Sequence, residues 1–437
     1  MAITFNTNSI LYKPRRGETF QVVVKYPSDT TSVTPPQIYY VGSQKDWITV
    51  TNTQVTAQDY TYEIVVSEYT SSLSSPRTAN IVFRATSPAG SESSALSIYQ
   101  LQSYNSLWKD EVMTMTRTSN MSYILADESD KQLYKGVAAI TTTATGYNRI
   151  ELNIPRIVDG LFEHPFFNSD SDGNWEDTGL AHVITLRIEA NAYPSKVFPL
   201  IYDWSYDRSN YKYQGDIVLN NPINNHSAPW MYQPLSIYND TNADYFAVAY
   251  RGNEEIATFD FGRPDYQTAE VMAYFNENTS QAERVVIYAN DKEHPVIEYD
   301  LTHCGGEWAL YYLNRKGGHD AFMIEGNVRV VDNYSRDQYT RNARNTDPGS
   351  FAKTTIQNRI STTYELSTGW LTDEESEILA SQLMPSPQVF LHNKNSLYIP
   401  TAVNIIDTSV EHKKFRNGKQ LNRYTITVEE SQTKLFK

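Results

Sequence analysis

The first hundred residues alternate short β-rich runs with turn clusters, and that rhythm constrains the fold more than any other feature of the chain. The runs cover residues 20–24, 37–41, 47–51, 60–66, 78–84 and 95–101. Between them lie Pro35-Pro36 and the stretches 71–76 and 87–94, rich in Ser, Pro and Gly, which set turns rather than helices. Short strands at this spacing indicate a β-sandwich. A chain of 437 residues needs more than one such unit, because single hydrophobic cores stop growing well before this length. The expected division is a sandwich at 1–105, a second β-sandwich at 106–215, a β-rich domain or second half of the preceding one at 216–305, and a smaller α+β domain at 306–437.

From residue 107 to 303 the chain stays β-like, with runs at 183–188, 197–202, 245–250 and 284–288 separated by loops rich in Asn, Asp and Pro. Segment 150–167 fits either a short helix or an irregular loop, and periodicity does not choose between them. The last 130 or so residues differ in kind. Thr372-Asp373-Glu374-Glu375 reads as a capping box, in which the Thr372 hydroxyl serves the amide three residues on and Glu375 reaches back. Ile378, Leu379 and Leu383 then form an apolar stripe, and Pro385 stops the helix. Strands are expected around it at 356–366, 388–391, 398–406 and 421–428. The fold class is thus mainly β and multidomain, closing in an α+β unit.

Composition sets limits on function. With 32 tyrosines, the chain has material for several cores and for amphipathic contact surfaces, although Tyr is also an ordinary strand former. A formal charge of −14 repels nucleic acid and anionic lipid. That charge is uneven: residues 306–437 hold 16 Lys and Arg against 15 Asp and Glu, so the acidity lies in the first 305. The single cysteine, Cys304, forms no internal disulfide, which fits synthesis in a reducing cytoplasm. The first ten residues lack a charged-then-apolar signal pattern, and no run of about 18 apolar residues occurs, so neither a secretion signal nor membrane insertion is expected.

Motifs for chemistry are weak. Asn168, Asp170, Asp172, Gly173 and Asn174 imitate the first half of a calcium loop, but Gly179 stands where its bidentate Glu belongs. Glu163 with Asp177, or Asp203 with Asp207, are carboxylate pairs of the kind that glycan hydrolysis needs, although 51 acidic residues produce such pairs by chance. His319-Asp320 suggests a dyad, yet no nucleophile elbow accompanies it. His303-Cys304 places a base beside a thiol in sequence, whereas a cysteine nucleophile needs its histidine brought across the fold. No two histidines stand four apart for zinc, and Gly305-Gly306 and Gly317-Gly318 lack phosphate-loop spacing. No cofactor, metal or catalytic residue is expected. Lys413, Lys414, Arg416, Lys419 and Arg423 surround a turn pair, Asn417-Gly418, and form a candidate docking contact for an acidic neighbour. Trp175, Trp204 and Trp230 are candidate glycan contacts.

Two resemblances add to this reading. Trp47-Ile48-Thr49-Val50, Tyr62-Glu63-Ile64-Val65-Val66, Arg77-Thr78-Ala79-Asn80-Ile81-Val82-Phe83 and Ser97-Ile98-Tyr99-Gln100 resemble BACON domains, immunoglobulin-like sandwiches of Bacteroidetes and their phages. The resemblance implies that Trp47 fills the core and that Ala79, Ile81 and Phe83 point inward; carbohydrate or mucin binding has been proposed for that family. The stretches 311–326, 363–374, 424–433 and 199–207 are similar to structural proteins of crAss-like and related Bacteroides phages. That similarity implies a virion tail component of hub, ring or fibre-attachment type and implies no activity; the chain is expected not to be an enzyme. Its partners would be copies of itself in a symmetric ring, and other tail proteins or fibres. The alternatives are a host-glycan adhesion module and a polysaccharide-degrading tail enzyme.

Overall fold

The computed structural model describes residues 2–56, 58–70, 76–106, 112–116, 120–139, 141–142, 148–158, 174–188, 196–201, 212–213, 216–221, 227–274, 281–301, 306–340, 353–395, 400–407, 422–432 and 434–436. It is mainly β: sandwiches follow one another along the chain, with a short helix close to the C-terminal end.

The N-terminal unit is built from β1 (Thr4–Phe5), β2 (Ile10–Lys13), β3 (Glu18–Lys25), β4 (Ser32–Val41), β5 (Ile48–Thr56), β6 (Asp59–Val66), β7 (Arg77–Ser87) and β8 (Gly90–Gln100). One sheet has the order β1-β3-β6-β5 and the other β2-β8-β7-β4. Neither β1 nor β2 is among the runs expected from sequence. The chain leaves the first sheet after β1 and joins the second through β2, which pairs parallel to β8 with Ile10 opposite Ser97. Strand alternation decides what lies between the sheets. Ala79, Ile81 and Phe83 are fully buried, facing Val22, Val24, Tyr62, Ile64, Leu96 and Ile98, and Trp47 closes the end of the core. Each large apolar side chain so placed contributes about 1.5–3 kcal/mol.

Three residues from the stretches that carry the family resemblance, Trp47, Arg77 and Gln100, form a single clasp. Arg77 and Gln100 face each other across β7 and β8. The Arg77 guanidinium lies 4.5 Å from the Trp47 ring and 4.7 Å from that of Tyr69. Its Nε donates to Gln100 Oε1 at 2.6 Å, and its Nη2 reaches the carbonyls of Ser67 and Glu68. The buried Gln100 amide in turn donates to the carbonyls of Pro14, Arg15 and Ser67. Gly17, at φ +77°, belongs to this closure: a Cβ there would sit 2.4 Å from the Val66 carbonyl oxygen.

In the second unit a six-stranded sheet faces a three-stranded one around Leu125, Ile150, Leu152, Ile184, Leu186 and Phe198. Segment 150–167 begins as the strand Asn148–Asn153 and the short helix Ile154–Val158; its remainder lies outside the described residues. In the third unit two four-stranded sheets enclose Leu235, Ile237, Ala247, Val271, Val285 and Ile287. Its first sheet borrows the strand Glu176–Asp177, which pairs with Thr268–Tyr274, so the chain crosses the expected boundary at 215. The last unit is an eight-stranded sheet. The expected capping box is present: Glu375 N donates to Thr372 Oγ1 at 3.3 Å and Thr372 N to Glu375 Oε2 at 2.7 Å. The helix Asp373–Ile378 runs on as a wider turn, Leu379–Leu383, and buries Leu379 and Leu383 against Leu310, Leu366, Leu391 and Val428.

The units are joined by both polar and apolar contacts. Arg16 donates to the carbonyls of Asn239 (2.9 Å) and Asp265 (2.7 Å), and Arg15 pairs with the buried Asp240 at 3.5 Å, which ties the N-terminal sandwich to the third unit. Met231 and Met272 of the third unit pack against Tyr311, Met323 and Phe390 of the last.

Candidate functional site

Two places bring together side chains of the kind that function requires: a buried polar cluster where the third and last units meet, and an open trough on the N-terminal sandwich.

The buried cluster looks catalytic only in composition. Strands Tyr232–Tyr238, Thr268–Tyr274 and His319–Ile324 carry Ser236, Glu270 and His319 to one point. His319 Nδ1 donates to both Glu270 oxygens at 3.0 Å, and the Ser236 hydroxyl donates to Glu270 Oε2. A serine nucleophile needs its proton taken by the imidazole. Here serine and imidazole both turn to the same carboxylate, and all three are buried from any substrate. Burial drives the Glu270 carboxyl up, but the adjoining His319 and the hydrogen bonds outweigh it and hold the group below the ordinary range.

His319 and Asp320 do not form a dyad, because adjacent strand residues project to opposite faces. Asp320 accepts from Asn221 N at 2.9 Å, from Asn314 Nδ2 at 3.0 Å and from Asn220 Nδ2 at 3.3 Å. Burial pushes its carboxyl up to about 6 even though these donors and nearby Lys316 pull it down. The Gly317-Gly318 pair has a packing use: a Cβ on Gly318 would stand 2.8 Å from Ser236 Cβ and 2.9 Å from Leu219 Cβ. This cluster fixes the third unit against the last.

The trough is the outer face of the β2-β8-β7-β4 sheet. Alternation that buries Ala79, Ile81 and Phe83 turns Thr78, Asn80 and Val82 outward, and the register sets them beside Tyr39 and Val41 of β4 and Ala95, Ser97 and Tyr99 of β8. These eight residues line an open depression on that face. Tyr39 is 47% exposed and Val41 61%. Tyr39 donates its hydroxyl to Gln37 Oε1 at 2.7 Å, while Tyr99 lies 5.5 Å from Tyr12, so both rims are held in place. On the floor the Ser97 hydroxyl donates to Asn80 Oδ1 at 2.7 Å, a bond that does not use the Asn80 amide hydrogens. Fixed aromatic rims with an amide and hydroxyl floor suit a ligand that is apolar on its faces and polar at its edges. Sequence reading missed this face, although the β7 alternation that buries one set of residues also identifies the other.

The residues singled out from sequence lie elsewhere. Trp175 is half-buried, 5.5 Å from Tyr245, with Nε1 donating to the Gly262 carbonyl at 3.3 Å. Trp230 is half-buried against His392, 6.0 Å away, beside the contact between the third and last units. The two therefore brace separate parts of the molecule and share no platform. Arg423 donates to Ser367 Oγ at 2.8 Å. Trp204, Lys413, Lys414, Arg416 and Lys419 lie outside the described residues, as do the calcium-like residues 168–173, Glu163, Asp203, Asp207, His303 and Cys304. Asp177 is exposed and accepts from Gly179 N at 2.9 Å, a local turn contact. Among the described residues no group of three His, Cys, Asp or Glu is placed to hold a metal ion, and no helix is long and apolar enough to cross a membrane.

Residues 37–101 match the BACON family model, described as a putative binding domain, N-terminal. The N-terminal unit is an immunoglobulin-like sandwich, and the match spans β4 to β8. No curated protein sequence matches the chain. A protein of unknown function from Porphyromonas gingivalis W83 is similar over 46% of this chain and 99% of its own, at 9% identity and a TM-score of 0.20. The titin fragment I67–I69 is similar over 69% of this chain and 97% of its own, at 8% identity and a TM-score of 0.15. The sialic acid binding region of a Streptococcus sanguinis SK1 adhesin is similar over 69% of this chain and 78% of its own, at 9% identity and a TM-score of 0.18.

Proposed function

We propose that this chain is a non-enzymatic binding and assembly protein, a structural component of a phage tail that acts through protein–protein contacts. The observation that carries the reading is the open trough of Tyr39, Val41, Asn80 and Tyr99 on a sandwich that is tied to the third unit through Arg15 and Arg16. Such an arrangement presents a rigid contact surface on a fixed mount. Tail placement, as hub, ring or fibre-attachment protein, is supported by the four stretches that resemble structural proteins of crAss-like phages. The partners are then other tail proteins or fibres and further copies of the chain.

A second reading, adhesion to host glycan, is favoured by one observation: the trough combines aromatic rims with the Asn80 amide, groups that pack on a sugar ring and bond its hydroxyls. Both readings are tested with the full chain and its Tyr39→Ala/Tyr99→Ala variant, mixed with the tail proteins of its particle and, separately, applied to an array of host polysaccharides. A stoichiometric complex with a tail protein that the variant loses supports assembly; saturable glycan binding that the variant loses supports adhesion. Binding to neither, or binding that the variant retains, overturns the assignment of the trough.

A further inference from the structure

The strands Val328–Thr340 and Lys353–Ser367 form a long two-stranded arm along one side of the C-terminal sheet. Among the described residues, 363–367 of the inner strand pair with Thr425–Glu430 and 358–360 with Lys434–Phe436. The outer strand ends the sheet, and among the described residues no strand pairs with its far side. Residues 332–338 are all exposed. A free edge of this length offers a row of backbone donors and acceptors to any passing strand, so natural edges are interrupted by bulges, proline or charge. Here the ladder has one irregularity, at Asp337/Gln338, and no proline, so residues 328–337 form an uninterrupted run.

We propose that this edge pairs antiparallel with the same edge of a second copy of the chain, about a two-fold axis through Asn333. Two-fold pairing across a continuous sheet requires one residue to face its own copy and then fixes all the others. With Asn333 at the axis, the contact spans 329–337, the run that stops at the irregularity. Arg329 of each copy then faces Asp337 of the other, which places opposite charges opposite each other at both ends. Val331 faces Ser335, Val330 faces Arg336, Asp332 faces Tyr334, and no two like charges meet.

Neighbouring registers fit less well. Moving the axis to Asp332 sets that carboxylate against its own copy, and moving it to Tyr334 carries the pairing across the irregularity at 337 and 338. Charge complementarity also identifies the occupant. The side chains of Arg329 and Asp337 are 71% and 52% exposed and already pair with Glu365 (3.0 Å) and Arg359 (3.3 Å) within the arm. A second copy extends these into alternating rows of charge, which an arbitrary peptide strand would not supply. This pairing is independent of the tail reading and of the trough.

The test uses full-length chains in sedimentation velocity at increasing concentration. The unmodified chain is expected to approach twice the monomer mass. Arg329→Glu turns the facing pair into two carboxylates, because the new side chain meets Asp337 of the other copy. Asp337→Lys turns it into two cations, because the new ammonium meets Arg329. Each variant alone therefore stays monomeric. An equimolar mixture of the two recovers the dimer, since the two facing pairs then join carboxylate to ammonium at one end and the native Arg329 to the native Asp337 at the other. Each variant carries its altered arm into the mixture, so recovery is not explained by folding. In a Cys304→Ser background, Asn333→Cys is expected to form a disulfide-linked dimer on mild oxidation. A monomeric unmodified chain, variants that dimerise as well alone as mixed, or no cross-link at position 333 overturns the proposal.

Discussion

The N-terminal sandwich and the contact between the third and last units are held together by opposite means. In the sandwich, an apolar core of Val22, Ile64, Ile81, Phe83 and Leu96 supplies the stability, and the buried Gln100 amide is satisfied at one end in the clasp with Arg77. At the contact between units, Ser236, Glu270, His319, Asn314, Asn220 and Asp320 lie inside, surrounded by apolar neighbours. Burial alone therefore does not reveal what holds an interface. Apolar burial tolerates sliding, whereas a buried network of directed bonds admits one docking geometry.

The contrast is tested hardest in the core. Phe83→Ala removes a fully buried ring and is expected to cost about 3–5 kcal/mol in urea unfolding monitored on the N-terminal sandwich, with the third and last units unaffected. A small cost there would mean that the clasp, not the core, sustains the sandwich.

The next largest effect is one of pH. Because the folded Asp320 carboxyl titrates at about 6 and its unfolded counterpart near 3.9, the folded state binds more protons between those values. Its contribution is therefore full below about pH 4 and is lost as pH rises through 6, on the order of 3 kcal/mol. Glu270, held below its ordinary range, has the opposite sign: its contribution is present above that range and disappears as pH falls through the folded value. Asp320→Asn should remove the decline between pH 4 and 6 from a denaturant-stability profile and leave the acid limb intact. An unchanged profile would show that Asp320 titrates like an exposed carboxylate.

Arg77→Ala should cost about 1.5–3 kcal/mol, because it strips a charged donor from Gln100 and two carbonyls. Arg77→Lys should recover little of it, since an ammonium reproduces neither the fork nor the stacking on Trp47. Thermal unfolding of the three proteins side by side checks both statements. The smallest stability effect is expected in the trough: Tyr39→Ala should change stability by less than about 0.5 kcal/mol while it weakens partner binding. A large loss of stability at Tyr39 would make that face structural.

Much of the sandwich was legible in the sequence because its information is local. The alternation Ala79, Ile81, Phe83 is written at period two, and Thr372 with Glu375 announces a helix start within four residues. The two N-terminal strands escaped because β1 spans two residues and β2 lies parallel to β8, a partner more than eighty residues away. The trough was hidden for another reason: Tyr39, Asn80 and Ser97 belong to three strands, and only their register makes them neighbours. His319 and Asp320 misled because adjacency in sequence suggests cooperation, while a strand sends neighbours apart.

Periodicity and short-range bonding were enough to determine the mainly β class, the N-terminal sandwich and the capped helix of the last unit; the place of Trp47 in the core came from the family resemblance. Tertiary packing decided that Glu270 meets His319, that Asp320 is enclosed by Asn220, Asn221 and Asn314, and that the outer strand of the arm has no second partner strand among the described residues. The contacts of Glu270 with His319 and of Asn220 with Asp320 join residues 49 and 100 positions apart, and chain connectivity carries no record of them until the sheets pack.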